Sequence, residues 1–114
     1  FGKFRVKGGV NIMKLVKNIT AKKLKDCGFH YIEHGNYRYY SSMYKSDNKT
    51  VIYAYFYVNI DENYFSYEVQ SNGTTYYPYY HKDNKSIVNE IISMNISKEI
   101  RNLVKKGILE DEND

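Results

Sequence analysis

The chain has 114 residues, 17 of them basic and 13 acidic, and a formal net charge of +4. Its 13.5 kDa and mean hydropathy of −0.67 allow one domain with one core, able to fold without staples. A single cysteine, Cys27, excludes an internal disulfide framework, and no apolar run approaches the roughly 20 residues of a membrane helix.

The apolar stretch of about 7–15 residues that a secretory signal needs is not seen near the start. These features lead us to expect a small, soluble, cytoplasmic protein that meets no membrane. Phe, Tyr, Met, Ile, Asn and Lys supply 59 of the 114 residues, whereas Gly, Ala, Arg and Pro supply 13. The first set is encoded by A/T-rich codons, so the abundance of tyrosine and lysine is first a matter of genome composition. Lys7-Gly8-Gly9-Val10-Asn11-Ile12-Met13 back-translates to a purine tract, a short spacer and a start codon. The expectation is a leader over 1–12, one α+β domain over 13–109 and an acidic tail over 110–114. Without Lys3, Arg5 and Lys7, 14 basic residues face 13 acidic ones, and the balance that would point to nucleic acid largely disappears.

In chain order, Met13, Leu15, Val16, Ile19 and Leu24 are apolar positions among lysines. Thr20 as N-cap and Gly28 as the residue past the end predict a short helix over 20–27, with Leu24 and Cys27 on its buried edge. Period-two patterning then begins. A Gly35-Asn36 turn leads into a strand over 37–44, and Ser46-Asp47-Asn48-Lys49 ends it. Residues 50–60 give the clearest strand, with Ile52, Ala54, Phe56, Val58 and Ile60 on one face and Val51, Tyr53, Tyr55 and Tyr57 on the other. Asp61-Glu62-Asn63 turns the chain into a strand over 64–70, with Phe65, Tyr67 and Val69 opposite Tyr64, Ser66 and Glu68. Asn72-Gly73 predicts a type I′ hairpin, and Pro78 marks 74–80 as an edge strand. Ser86 caps a long helix that Gly107 stops, with a kink near Asn95. The order is α-β-β-β(-β)-α: an antiparallel meander of three to four strands, a short first helix and a long last helix across the apolar face.

The chemistry-bearing residues form no catalytic motif, and the expectation is a non-enzyme without cofactors. Cys27, His30 and His34 with His81 include zinc-ligand types, but Cys27 falls at a helix end where a small buried residue is expected. No local signature makes Cys27 a nucleophile, and there is no Gly-rich phosphate loop. The tyrosines carry the strongest signal. Tyr53, Tyr55 and Tyr57 stand in a row, neighbouring strands can add Tyr37, Tyr39 or Tyr64, and the segment after Gly73 adds Tyr76, Tyr77, Tyr79 and Tyr80. Such a face suits a protein partner. Stacking on unpaired bases requires basic side chains beside the rings, and residues 37–80 hold three basic against four acidic residues.

The α-β-β-β-α order resembles the double-stranded RNA-binding domain in topology. Only Lys82 and Lys85 stand where that family clusters lysines, and Ser46-Asp47-Asn48-Lys49 replaces its proline-histidine loop, so RNA binding is not carried over. Leu24-Lys25-Asp26-Cys27-Gly28-Phe29, tyrosine-rich alternating strands and a helix ending Leu103-Val104-Lys105-Lys106-Gly107-Ile108 resemble small accessory proteins of phages and mobile elements of low-G+C Gram-positive bacteria. That resemblance implies counter-defence by direct binding to a host protein, as in anti-CRISPR proteins, with a CRISPR effector nuclease as one candidate target. The expected partner-binding residues are Tyr39, Tyr53, Tyr55, Tyr57, Tyr76, Tyr77, Tyr79 and Tyr80, and a homodimer through the same face is compatible. The alternative is a nucleic-acid-binding regulator using Lys14, Lys17, Lys22, Lys23 and Lys25 beside the sheet.

Overall fold

The computed structural model describes residues 13–81 and 86–111; the expected leader, Lys82, Lys85 and the last three residues of the expected tail lie outside them. The fold is α+β. Strands β2 (His30–Tyr31), β3 (Asn36–Lys45), β4 (Val51–Asn59), β5 (Tyr64–Ser71) and β6 (Thr74–Thr75) form one antiparallel sheet in sequence order. A second, two-stranded ribbon pairs β1 (Met13–Leu15) with β7 (Leu109–Asp111). Helices α1 (Ala21–Asp26) and α3 (Ile87–Lys105) lie on one side of the sheet, and a single turn, α2 (Tyr77–Tyr80), follows β6.

The alternation read in β4 is the alternation observed: Ile52, Ala54, Phe56 and Val58 are at most 4% exposed, while Tyr53, Tyr55 and Tyr57 are half-buried on the other face. Core partners are Phe65 and Val69 from β5, Ile92, Ile96, Ile100 and Leu103 from α3, and Leu24 and Phe29 around α1. The Phe56 ring stacks on both Tyr39 and Phe65. Removing a buried ring of this kind costs about 3–5 kcal/mol.

Both principal helices begin with a side-chain cap and end in the same way. Thr20 Oγ1 accepts the Lys23 N–H and Ser86 Oγ the Asn89 N–H. At the far ends, Phe29 N–H bonds Leu24 O and Gly28 N–H bonds Lys25 O; Ile108 N–H bonds Leu103 O and Gly107 N–H bonds Val104 O. Each is a Schellman motif, with a glycine at positive φ and buried apolar residues at both ends of the longer bond, Leu24 with Phe29 and Leu103 with Ile108. Leu24-x-x-x-Gly28-Phe29 and Leu103-x-x-x-Gly107-Ile108 are therefore one helix-stop signature used twice.

Four expectations are corrected. The predicted edge strand over 74–80 is two residues of β6 and then α2, because Pro78 sits in the first helical turn, where its missing N–H costs nothing. The beginning of the expected acidic tail, Glu110, belongs to β7, and its carboxylate accepts the Lys17 N–H. No strand was expected at Met13–Leu15, yet Leu15, Ile108 and Leu109 are at most 1% exposed and close the end of the core, with Leu15 N–H bonded to Asn63 Oδ1.

The fourth concerns Asn95, where the helix does not break and restart; it runs unbroken from Ile87 to Lys105. Instead, β3 carries a bulge between Ser42 and Tyr44, and Asn95 Nδ2 donates to the Met43 carbonyl at 2.8 Å. A bulge frees a backbone group from the ladder, and the polar residue in the middle of the helix satisfies it. Asn95→Leu leaves that carbonyl buried without its donor. The expected loss is about 1–3 kcal/mol in urea unfolding, with the helical signal retained.

Candidate protein-binding face

Strand register decides which tyrosines share a surface. Opposite Tyr57, Tyr55 and Tyr53 of β4 stand Arg38, Tyr40 and Ser42 of β3 on one side and Ser66, Glu68 and Gln70 of β5 on the other. These residues face away from α1 and α3. Tyr55 is the hub: its ring stacks on Tyr40 at 5.3 Å and on Tyr57 at 6.5 Å, meets Tyr53 edge-on at 6.2 Å, and lies 5.3 Å under the Arg38 guanidinium. Tyr40 also meets Tyr53 edge-on at 5.7 Å and is 52% exposed. Each ring pair adds about 0.5–1.5 kcal/mol beyond area burial, so the platform also stiffens the sheet.

The β5 half of the face is polar. Glu68 accepts hydrogen bonds from Gln70 Nε2 and Thr75 Oγ1, and Gln70 Nε2 also donates to Tyr57 OH. Burial raises the Tyr57 pKa, Glu68 adds to the rise and Arg38 opposes it. At the rim, Tyr80 OH accepts the Val69 N–H that β6 is too short to pair. Its pKa is raised by burial first, against the lowering effect of that bond. The face thus combines four rings, one guanidinium and one carboxylate that its neighbours already hold by hydrogen bonds.

The expected tyrosines separate into three groups. Tyr53, Tyr55 and Tyr57 are on this face, with Tyr80 at its rim. Tyr39 is on the opposite, core-side face: its ring packs at 5.4 Å from Phe29, and its hydroxyl donates to Glu99 Oε1 of α3 at 2.8 Å. Tyr37 is buried on that side too, and Tyr76 and Tyr79 pack against the core, the Tyr79 hydroxyl 2.9 Å from Ser93 Oγ. Tyr77 is 72% exposed and begins α2, and its ring makes none of the contacts of the platform. Tyr40 and Arg38 replace Tyr37 and Tyr39 on the platform, and sequence reading missed them because adjacent residues of a strand exchange faces with a one-residue change of register.

The lysines of the alternative reading do not border the rings. Gly28 and Phe29 bring α1 against Tyr39, on the α3 side. Lys22 is paired with Asp26 at 2.8 Å, Lys23 reaches Gly107, and Lys14, Lys17 and Lys25 are exposed. Among the described residues no group of three His, Cys, Asp or Glu side chains is placed to hold a metal ion, and no helix is long and apolar enough to cross a membrane.

No protein-family model matches the chain, and no curated protein matches it. A similar solved structure is that of a DUF1831 family protein from Lactobacillus plantarum, 17% identical, with a TM-score of 0.69 over 96% of this chain and 95% of that one. At that identity the likeness shows the fold alone.

The core-side tyrosines make stability pH-dependent. Burial, and then the Glu99 carboxylate, push Tyr39 up to about 12 from an ordinary value of 10.0, and burial raises Tyr67 as well. A phenol raised in the folded state stabilises fully below pH 10 and loses that contribution as pH climbs from 10 to 12. The urea midpoint is therefore expected to fall over this window. Tyr39→Phe should flatten part of the fall, and an unchanged slope would remove Tyr39 from the titration.

Proposed function

We propose that this protein is a non-enzymatic binding protein whose partner is another protein, docked on the face formed by Tyr40, Tyr53, Tyr55 and Tyr57 with Arg38. The observation that carries the reading is the clustering of these four rings around Tyr55 on the side of the sheet away from both helices. Tyrosine and arginine are the residues that dominate interface energetics, because each gives large contact area with a polar end. Rings held by their neighbours lose little side-chain freedom on docking, which lowers the entropic cost of association.

The same reading extends to a role. As implied by the resemblance to phage and mobile-element accessory proteins, the bound protein would be one of the host, inhibited sterically, with a CRISPR effector nuclease as one candidate. That extension rests on sequence likeness, and the motif Leu-x-x-x-Gly-Phe that contributes to it is required by helix termination in any lineage. Docking on the ring face therefore stands independently of which host protein is bound.

The test uses the chain as bait in lysate of its source cells, with Tyr53, Tyr55 and Tyr57 replaced together by Ser in a parallel bait. A protein retained by the parent and by Tyr77→Ser, but lost by the triple variant, supports the reading, and its purified activity should fall when the parent is added. Retention by all three baits overturns the face assignment. Sedimentation of the parent alone reports self-association. A dimer dispersed by the triple variant would make a second copy of this chain the occupant.

A further inference from the structure

Basic residues are concentrated in α1 and at the C-terminal end of α3. Residues 21–26 and 98–106 hold seven lysines and arginines against two carboxylates, whereas the remaining described residues hold five basic against eight acidic ones. One of the two carboxylates, Asp26, is taken by Lys22, and the other, Glu99, accepts the Tyr39 hydroxyl. Lys23, Lys98, Arg101, Lys105 and Lys106 make no ion pair among the described residues, and all five are exposed. Lys98, Arg101 and Lys105 line a shallow groove of about 390 Å³ along α3, together with Glu99 and Asn102. Lys23 of α1 extends the stripe past the helix end, its ammonium lying against Gly107.

From this arrangement we infer that the outer face of α3, continued by Lys23, is a binding surface for the phosphate backbone of a nucleic acid. The spacings i, i+3 and i+7 put Lys98, Arg101 and Lys105 on one side of the helix over roughly 10 Å, about the axial rise of three base pairs. The groove contains no aromatic or aliphatic anchor, which a protein partner would need at the centre of its interface. A membrane surface would require an exposed apolar face beside the cations. The apolar face of α3 is spent on the core, and its exposed Ile87 and Met94 stand outside the groove lining. A polyanion read through its backbone alone needs neither. This surface differs from the lysines proposed by sequence, since α3 supplies most of it. It is also separate from the ring face, on the other side of the sheet.

Fluorescence anisotropy of labelled 20-nucleotide single strands and 20-base-pair duplexes, titrated with the full chain, tests it. Micromolar binding is expected at 50 mM salt, weakening roughly hundredfold by 200 mM, as release of counterions from about four phosphates requires. Lys98→Glu, Arg101→Glu and Lys105→Glu together should weaken binding at least tenfold at 50 mM. The same positions changed to Gln should fall between, with circular dichroism unchanged for both variants. The ring-face triple variant should bind as the parent does, so failure of the docking proposal leaves this one standing. No binding at 50 mM overturns the inference, and so does binding that the charge reversal leaves intact. Equal affinity for polyglutamate, or for vesicles with 30% anionic lipid, would replace nucleic acid with those partners and overturn it too.

Discussion

The alternation of β4 is the constraint on which the rest of the molecule depends. This strand is the centre of the sheet and is paired along nearly its whole length on both sides, so its side-chain parity is imposed on β3 and β5. Ile52, Ala54, Phe56 and Val58 supply the apolar surface that α3, α1 and the β1–β7 ribbon must cover, and all of them gather on that side. At about 1.5–3 kcal/mol for each buried aliphatic or phenylalanyl side chain, a one-residue slip of β4 would forfeit the core outright. A chain of this length supports one core, so the second face of the sheet is left to the tyrosines.

Those tyrosines serve two ends with one geometry. Cross-strand ring contacts hold β3 to β4 where no helix packs, and in the proposed reading they also pre-organise the rings for docking. Arg38 illustrates the coupling: it lies over Tyr55 and opposes the rise that burial and Glu68 give Tyr57. On the other side a phenol is spent differently. Tyr39 is locked to α3 through Glu99, and its raised pKa is a sign of structural use.

Much of this was legible in the sequence. Local signals with local causes survived intact: the Thr20 and Ser86 caps, the Gly28 and Gly107 stops, Asn72-Gly73 with both residues at positive φ, and the period-two pattern of β4. What was lost depends on partners distant in the chain. Whether Tyr39 or Tyr40 joins Tyr55 is decided by strand register, which no single strand contains. The β1–β7 pair joins residues nearly a hundred positions apart through three pairings, and their alternation is too short to read. Asn95 looked like a helix fault because its partner, the Met43 carbonyl, exists only once β3 has bulged. The Gly35 turn is similar: Asn59 secures it by donating to His34 O and Asn36 Oδ1 while accepting the Asp61 and Glu62 N–H groups.

An A/T-rich gene supplies tyrosine, lysine and asparagine together, and composition alone cannot distinguish a binding surface from codon bias. Position can. The outward positions 53, 55 and 57 of β4 were open to any of these residues, yet each is tyrosine, while six of the ten described lysines lie on α1 and the last turns of α3, counting Lys106 at its C-cap. Strand propensity favours tyrosine over lysine and asparagine in a sheet, which accounts for part of the sorting. It does not account for the placement of Tyr40 and Arg38 across from them in register with Tyr55 and Tyr57, where four rings and a guanidinium converge. Helix propensity ranks lysine, glutamine and glutamate together, and the helix dipole favours a cation only in the last turn, where Lys105 lies; neither accounts for Lys98 and Arg101. Sorting by face, rather than abundance, is the observation on which both proposed surfaces rest.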